Sequence, residues 1–339
     1  MLVDTEFSGR LDRAAEEAAT AEAAGFDTIW STDSANDPFL PLAVATQHTE
    51  RIRLGTGIAV AFARSPMTVA QTAWGLQNLS GGRMVLGLGS QIQPHVERRF
   101  SMPWSRPAGR MREYVSALRA IWSCWQDGEK LDFRGEFYSF SLMPPHFNPG
   151  PVAGGPPPIV LAAVGEAMTR VAAEFADGIL LHRFTTARYL TEATLPALAA
   201  GRRSRKVPGP FSVILPVFVV LGDRPAELDA GIAATRKQLA FYSSTPAYRP
   251  VLEAHGWGDL QPELQSLTRQ NRWAEMDALV TDEILAAFAT IGTPEEAART
   301  LHERYTGAAD VLAPTAVYDL PFALRRRLAT ALRGHGNAR

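Results

Sequence analysis

Three side chains able to move protons stand where apolar runs give out. Asp33 follows Phe26-Asp27-Thr28-Ile29-Trp30, one turn past a predicted strand. His182 closes the run from Gly178 to Leu181, with Arg183 after it. His95 lies in the polar stretch that follows Met84 to Leu88 and Gly89-Ser90-Gln91, beside Pro94 and near Arg98 and Arg99. A carboxylate so placed takes or gives a proton, or hydrogen-bonds a cofactor ring. The other reading of Asp33 is a helix cap or a loop ion pair. An imidazole titrates near neutrality, and a lone one is often structural. Two histidines and a carboxylate at three predicted strand ends make Asp33, His95 and His182 the candidate catalytic residues. The histidines lack HExxH-type spacing and a cysteine partner, so no metal site is expected. No GxSxG elbow is present, which argues against a serine hydrolase.

Two glycine-bearing stretches bear on anion binding. Leu86-Gly87-Leu88-Gly89 lacks the third glycine of a dinucleotide fingerprint. Ala162-Ala163-Val164-Gly165-Glu166 reads better: a strand ends, a glycine follows and a helix begins, so free N–H groups would face an anion. Glu166 in that first turn also suits an ordinary residue opposing the helix dipole. Asp37, before Pro38, reads as a cap for the next helix. The single cysteine, Cys124, lies between Trp122 and Trp125 on a helical pattern and reads as a buried thiol.

Such residues need a scaffold that gathers strand ends. Apolar strand-length runs recur at Leu2 to Phe7, Phe26 to Trp30, Ile52 to Ala61, Met84 to Leu88, Ile159 to Ala163, Gly178 to Leu181, Phe211 to Leu221 and Asp310 to Val317. Helical patterns separate them, several with clear boundaries. Gly25 stops the first, and Thr293-Pro294-Glu295-Glu296 opens a late one. The alternation predicts an α/β fold, a (β/α)8 TIM barrel whose chemistry sits at the C-terminal strand ends. Residues 126–158 and 244–279 break the rhythm and read as excursions over one barrel domain spanning 1–339. Pro225 to Tyr242 is read as one of the barrel helices.

Of the 339 residues, 46% are hydrophobic and 20% charged, with a net charge of -1. That is ample core material, without the global field that draws nucleic acid or a membrane surface. A small molecule is the expected partner. The chain opens without a basic segment followed by an apolar one. No run approaches the ~18 apolar residues of a membrane span. A cytoplasmic protein is the expectation.

Several stretches resemble the bacterial luciferase-like monooxygenase superfamily. They are GFDTIWSTD, ERIRLGTGIAVAFARSPMTVAQTAWGLQNLSGGRMVLGLGS, RPAGRMREYVSALRAIW, PIVLAAVGEAMTRVAAEFADGIL and IGTPEEAARTLHERY. They are most similar to its oxidoreductases that use the deazaflavin coenzyme F420, over about residues 1–320. The resemblance implies a flavin-like ring in the barrel mouth, backed by a non-prolyl cis peptide within Ala59 to Ala61. It implies that Ala59, Val60, Ser90 and Gln91 lie at the cofactor and that Ala163, Val164, Gly165 and Glu166 line its phosphate side. Gly178 and Ile179 would line the next strand end, and Asp33 would sit near the reactive carbon. Where several members carry Asp-His, this chain has Asp33-Ser34. The proton then falls to His95 or His182.

The implied activity is hydride transfer between F420 and a small organic substrate. An FMN-dependent two-component monooxygenase, with a separate reductase, is the nearest alternative. A non-catalytic flavin-binding barrel or heteromer subunit is the alternative of another class. Basic residues at Arg64, Arg98 and Arg99 would suit the acidic tail of the deazaflavin. Trp104, Phe137, Tyr138, Phe147 and Trp257 are candidates to roof the substrate pocket, or simply to pack loops. The resemblance also implies a homodimer.

Overall fold

The computed structural model describes residues 1–334. Its strands are β1 in two halves (Leu2–Val3 and Thr5–Glu6), β2 (Thr28–Ser31), β3 (Arg53–Thr56), β4 (Met84–Gly89), β5 (Ile159–Ala163), β6 (Gly178–Leu181), β7 (Ser212–Leu221), β8 (Ala289–Gly292) and β9 (Val311–Thr315). All but β8 form the barrel ring, each paired in parallel with its neighbours. The two halves of β1 close it: Leu2 and Val3 pair with Val311 and Leu312 of β9, while Thr5 and Glu6 pair with Ile29 and Trp30 of β2. All six residues of β4 are buried, as expected for parallel strands covered on both faces.

Trp30, Val85, Val160, Ile214 and Val311 fill the inside of the ring, with Leu180 against them. Trp30 takes so much of this space that its neighbours carry no side chain. A Cβ on Gly55 would lie 2.4 Å from the indole. The indole N–H donates to Asp4 Oδ2 at 2.8 Å, and Asp4 is fully buried.

The outer wall is α1 (Ala14–Ala23), α2 (Phe39–Thr46), α3 (Pro66–Leu79), α4 (Pro107–Asp127), α5 (Glu166–Phe175) and α6 (Leu195–Arg202), and further along the chain two more helices. Ser65 caps α3 by accepting from the N–H of Met67, with Pro66 in the first turn. Thr293 and Glu296 form a reciprocal capping box on the helix Pro294–Tyr305, as its sequence predicts.

One helix has a different place from the expected one. The segment Pro225–Ser243, here α7, does not belong to the wall. Its Leu239 and Ala240 are buried with Phe218, Val251, Leu252, Leu264, Ile284 and Phe288 in a core separate from that of the barrel. The wall is completed instead by α8 (Pro294–Tyr305) and α9 (Phe322–Gly334), whose Leu301 and Leu328 join the main core. The second insertion therefore runs from about residue 222 to 292, not 244–279. It includes β8, which the sequence reading missed. Ala289 to Gly292 extend the sheet beyond the ring by pairing with Phe218 to Leu221. This insertion is called the cap below.

The first excursion carries a hairpin, Phe133–Arg134 against Ser139–Phe140. Glu113 of α4 holds it by accepting from the N–H groups of Glu136, Phe137 and Tyr138 at 2.9, 2.7 and 2.5 Å. Among the described residues, no helix is long and apolar enough to cross a membrane.

Candidate active site

The barrel mouth begins with a bend. β3 stops at Thr56, and the chain rejoins the sheet only at Ala59–Val60, which pair with Leu88 and Gly89 of β4. Between them lies a non-prolyl cis peptide, Gly57-Ile58. It precedes the expected window of Ala59 to Ala61, because the strand read as continuous from Ile52 to Ala61 breaks at Thr56. The Thr56 hydroxyl spans the gap, donating to Gly87 O at 2.7 Å and accepting from Gly87 N at 2.9 Å. A Cβ on Gly87 would lie 1.8 Å from Thr56 O, and one on Gly89 would lie 2.8 Å from Ile58 Cδ1. These glycines make room for the bend.

Asp33 anchors the same bend from the loop after β2. Its N–H donates to Ile58 O at 3.2 Å. Its Oδ2 accepts from Val60 N at 3.0 Å and from Arg64 Nη1 at 2.5 Å. Arg64 also reaches Asp37 at 2.8 Å, and Asp37 accepts from Phe39 N at the start of α2. Burial works against the Arg64 charge, but the hydrogen bonds it donates to Asp37 and Asp33 outweigh it and raise its pKa. The loop ion pair, the second reading of Asp33, is the arrangement observed. Arg64 is thereby committed to two carboxylates, and Arg99 is bonded to Ser34 O. Of the three arginines suited to an acidic tail, Arg98 stays exposed without a partner among the described residues.

At the end of β4, the Ser90 hydroxyl donates to Gln91 O at 3.1 Å. Gln91 has φ +60, the left-handed region that a side chain normally avoids. Such a backbone persists only where its surroundings enforce it. His95 is exposed and opens the wide helical turn His95–Arg99, with Val96 buried beneath it.

A cleft of about 570 Å³ opens on the other side of the mouth. Ala163, Val164, Gly165, Glu166 and Thr169 form one wall, Leu181, His182 and Thr185 another, and Ala247, Tyr248, Pro250 and Val251 of the cap a third. Gly165 has φ +77 and ψ 163, a conformation essentially confined to glycine. Its open side would leave even a Cβ without a neighbour. The first turn of α5 therefore opens on the cleft beside Gly165, and the Glu166 side chain of that turn lines the cleft too. Glu166 pairs along the helix with Arg170 at 3.8 Å.

His182 sits where β6 meets the cap. Its Nδ1 accepts from Phe184 N at 3.1 Å, and its Nε2 meets the Tyr248 hydroxyl at 3.1 Å. Burial, and secondarily the nearby Arg183 charge, push its pKa down to about 4. The ring is neutral at pH 7. Burial likewise raises Tyr248 to about 12. Arg183 meets Glu6, at the end of β1, at 3.4 Å.

The cleft thus gathers Ala163, Val164, Gly165, Glu166 and His182, while Asp33, Ala59, Val60, Ser90, Gln91 and His95 belong to the bend and the β4 loop. Gly178 and Ile179 lie elsewhere. They begin β6 beside Val160 and Leu161, at the opposite end of the strand from the mouth; the strand end is formed by Leu181 and His182. The aromatic residues expected as a roof do not line the cleft. Trp104 packs edge-on against Phe62, Tyr138 accepts from Arg110, Trp257 stacks on His255, Phe137 lies under Arg106, and Phe147 is exposed. Tyr248 is the residue that sequence reasoning missed. Nothing local marks it, since it touches His182 from 66 positions away.

The family model described as luciferase-like monooxygenase matches residues 2–310. An uncharacterized protein of Mycobacterium tuberculosis is 52% identical over 313 residues, covering 92% of each chain. A 5,10-methylenetetrahydromethanopterin reductase of Archaeoglobus fulgidus is 29% identical, over 84% of this chain and 83% of its own. Among solved structures, the coenzyme F420-dependent tetrahydromethanopterin reductase of Methanopyrus kandleri superposes with TM-score 0.78 at 18% identity, covering 98% and 99% of the two chains. The oxygenating constituent of 3,6-diketocamphane monooxygenase from Pseudomonas putida, in complex with FMN, does so with TM-score 0.68 at 16% identity, covering 98% and 96%. At these identities the two structures establish the barrel, and the family match together with the 52% relative establishes kinship. The chain belongs to the luciferase-like monooxygenase family.

Proposed function

We propose that this protein is an oxidoreductase that binds the deazaflavin coenzyme F420 and exchanges a hydride with a small organic substrate. The observation that carries the reading is the cleft. Its volume is of the size that takes a cofactor, within the range of roughly 300–1,000 Å³. It also runs past Gly165, where the N–H groups of a helix start meet no side chain. The fit is chemical as well as spatial. A phosphate diester suits the first turn of α5, and at the bend Ile58 is open enough to meet the face of a planar ring, with the buried Ala59 and Val60 behind it. A relative of Mycobacterium tuberculosis described as a putative coenzyme F420-dependent oxidoreductase, 30% identical over 302 residues, supports the deazaflavin in preference to a flavin.

When bound, the cofactor would supply the hydride chemistry, and the protein would supply binding and orientation. Gly165 opens the helix start, and Thr169 braces it by donating to Gly165 O at 2.9 Å. Asp33 and Arg64 hold the bend from below. The cap contributes Ala247, Tyr248, Pro250 and Val251 to the wall of the cleft. Ser90 and Gln91 are held ready at the β4 edge.

A second reading keeps the same site and replaces F420 with FMN, and the likeness to the FMN-bound monooxygenase favours it. Titrating the purified protein with F420 and, separately, with FMN decides between them. Tight F420 binding is the expected result. Tight FMN binding with none of F420 would overturn the first reading. Binding of neither would leave a barrel that serves another role.

A further inference from the structure

The hydrogen bond between Tyr248 and His182 has a direction. Phe184 N is a donor, so the His182 Nδ1 it meets at 3.1 Å must be the bare nitrogen of the ring. A neutral imidazole carries its one proton on the other nitrogen. Nε2 therefore donates and the Tyr248 oxygen accepts, at 3.1 Å. That leaves the Tyr248 O–H with a proton to give, and no second partner takes it among the described residues. The phenol cannot swing away, because its ring is held on three sides. It stacks on His182 with centroids 4.6 Å apart, meets Phe184 at 5.5 Å and meets Tyr242 edge-on at 5.9 Å. Both Tyr248 and His182 line the cleft. The result is a half-buried donor, fixed in place on the wall of a cavity and lacking an acceptor.

We propose that Tyr248, a residue of the cap and not of the barrel, donates its hydroxyl proton in a hydrogen bond to a ring oxygen of the cofactor, with His182 as the positioning residue that sets this direction. Both candidate cofactors offer such an oxygen on the pyrimidine-dione part of the ring. The inference rests on the reading that a deazaflavin or flavin occupies the cleft. It makes the cap a constituent of the binding site, and it changes the role of His182 from proton donor to orienting group.

The test is a binding titration of wild type, Tyr248→Phe, His182→Gln and His182→Leu with F420, and in a separate arm with FMN, following absorbance and fluorescence of the chromophore. Tyr248→Phe removes one oxygen and leaves the packing in place. Its expected effect is a rise in Kd of about five- to tenfold, the worth of one hydrogen bond, with loss of the bound-state spectral shift. His182→Gln keeps a donor near the Nε2 position and should retain most of that shift, whereas His182→Leu should lose it. If wild type binds a cofactor and Tyr248→Phe binds it with the same Kd and spectrum, the proposal is overturned and the cofactor reading stands. If wild type binds neither cofactor, both fall.

Discussion

Arg64 and Asp33 meet at 2.5 Å beneath the barrel mouth, and their side chains are only 17% and 4% exposed. The carboxylate that the sequence offers as an acid is joined to a guanidinium from the next loop. The same oxygen accepts the N–H of Val60, so the pair ties two loops to the bend. Removing one partner would strand the other charge in a nearly dry place. Arg64→Leu is therefore expected to cost about 3 kcal/mol of stability. Denaturant unfolding measures it, and a loss below half that figure would show that the pair is not an anchor.

The glycines of the site differ in what they are for. Gly87→Ala drives a Cβ into a backbone oxygen of β3 that cannot move aside. We expect a loss of about 3 kcal/mol or more, seen as poor soluble yield. Gly165→Ala meets open space but must hold φ +77. There we expect a smaller cost, of about 1–2 kcal/mol, and a larger effect on cofactor affinity than on folding. Equal losses of stability for the two variants would contradict this division.

Asp4 links stability to pH. Burial raises its pKa from 3.8 to about 7, against the lowering effect of the Trp30 hydrogen bond. Between those two values the folded chain holds a proton that the unfolded chain has released. The stabilisation is therefore complete below about pH 4 and is lost as pH rises through 7. Asp4→Asn lacks this dependence while keeping an acceptor for the indole. Relative to Asp4→Asn, wild type should lose stability on the order of 4 kcal/mol between pH 4 and pH 8. Parallel pH profiles for the two proteins would sink the assignment.

His182 works in the opposite sense. Its pKa is depressed from 6.5 to about 4 by burial. The unfolded ring takes up a proton first, so its contribution to stability is present above 6.5 and fades as pH falls toward 4. Protonation would also force Nδ1 off Phe184 N. NMR titration of the ring should show no change from pH 8 to about 5. A midpoint near the ordinary value would contradict both the burial and the directed bond to Tyr248.

Much of the scaffold was legible along the chain. The barrel strands announce themselves because a strand buried on both faces is apolar throughout, and β5 and β6 match their predicted bounds, Ile159 to Ala163 and Gly178 to Leu181. The capping box at Thr293 and the glycine before α5 are local signals too, each complete within a few residues. Partners of α7 were not legible. Its apolar residues are the same whether they face the main core of the barrel or Val251 and Leu264 of the cap, because an apolar face says that it is buried and not against what.

From residue types and order alone came the eightfold alternation and Gly165 as the residue that opens α5. The tertiary structure decided what each polar group is for. It placed Arg64 on Asp33 across 31 positions and Tyr248 on His182 across 66. It also placed the break after Thr56, where a Gly87 side chain would strike the neighbouring backbone. Periodicity is a property of a segment, and a segment carries it in its own sequence. A partner for a charge or a phenol is chosen by where distant segments meet, which depends on the packing of the whole ring and its cap.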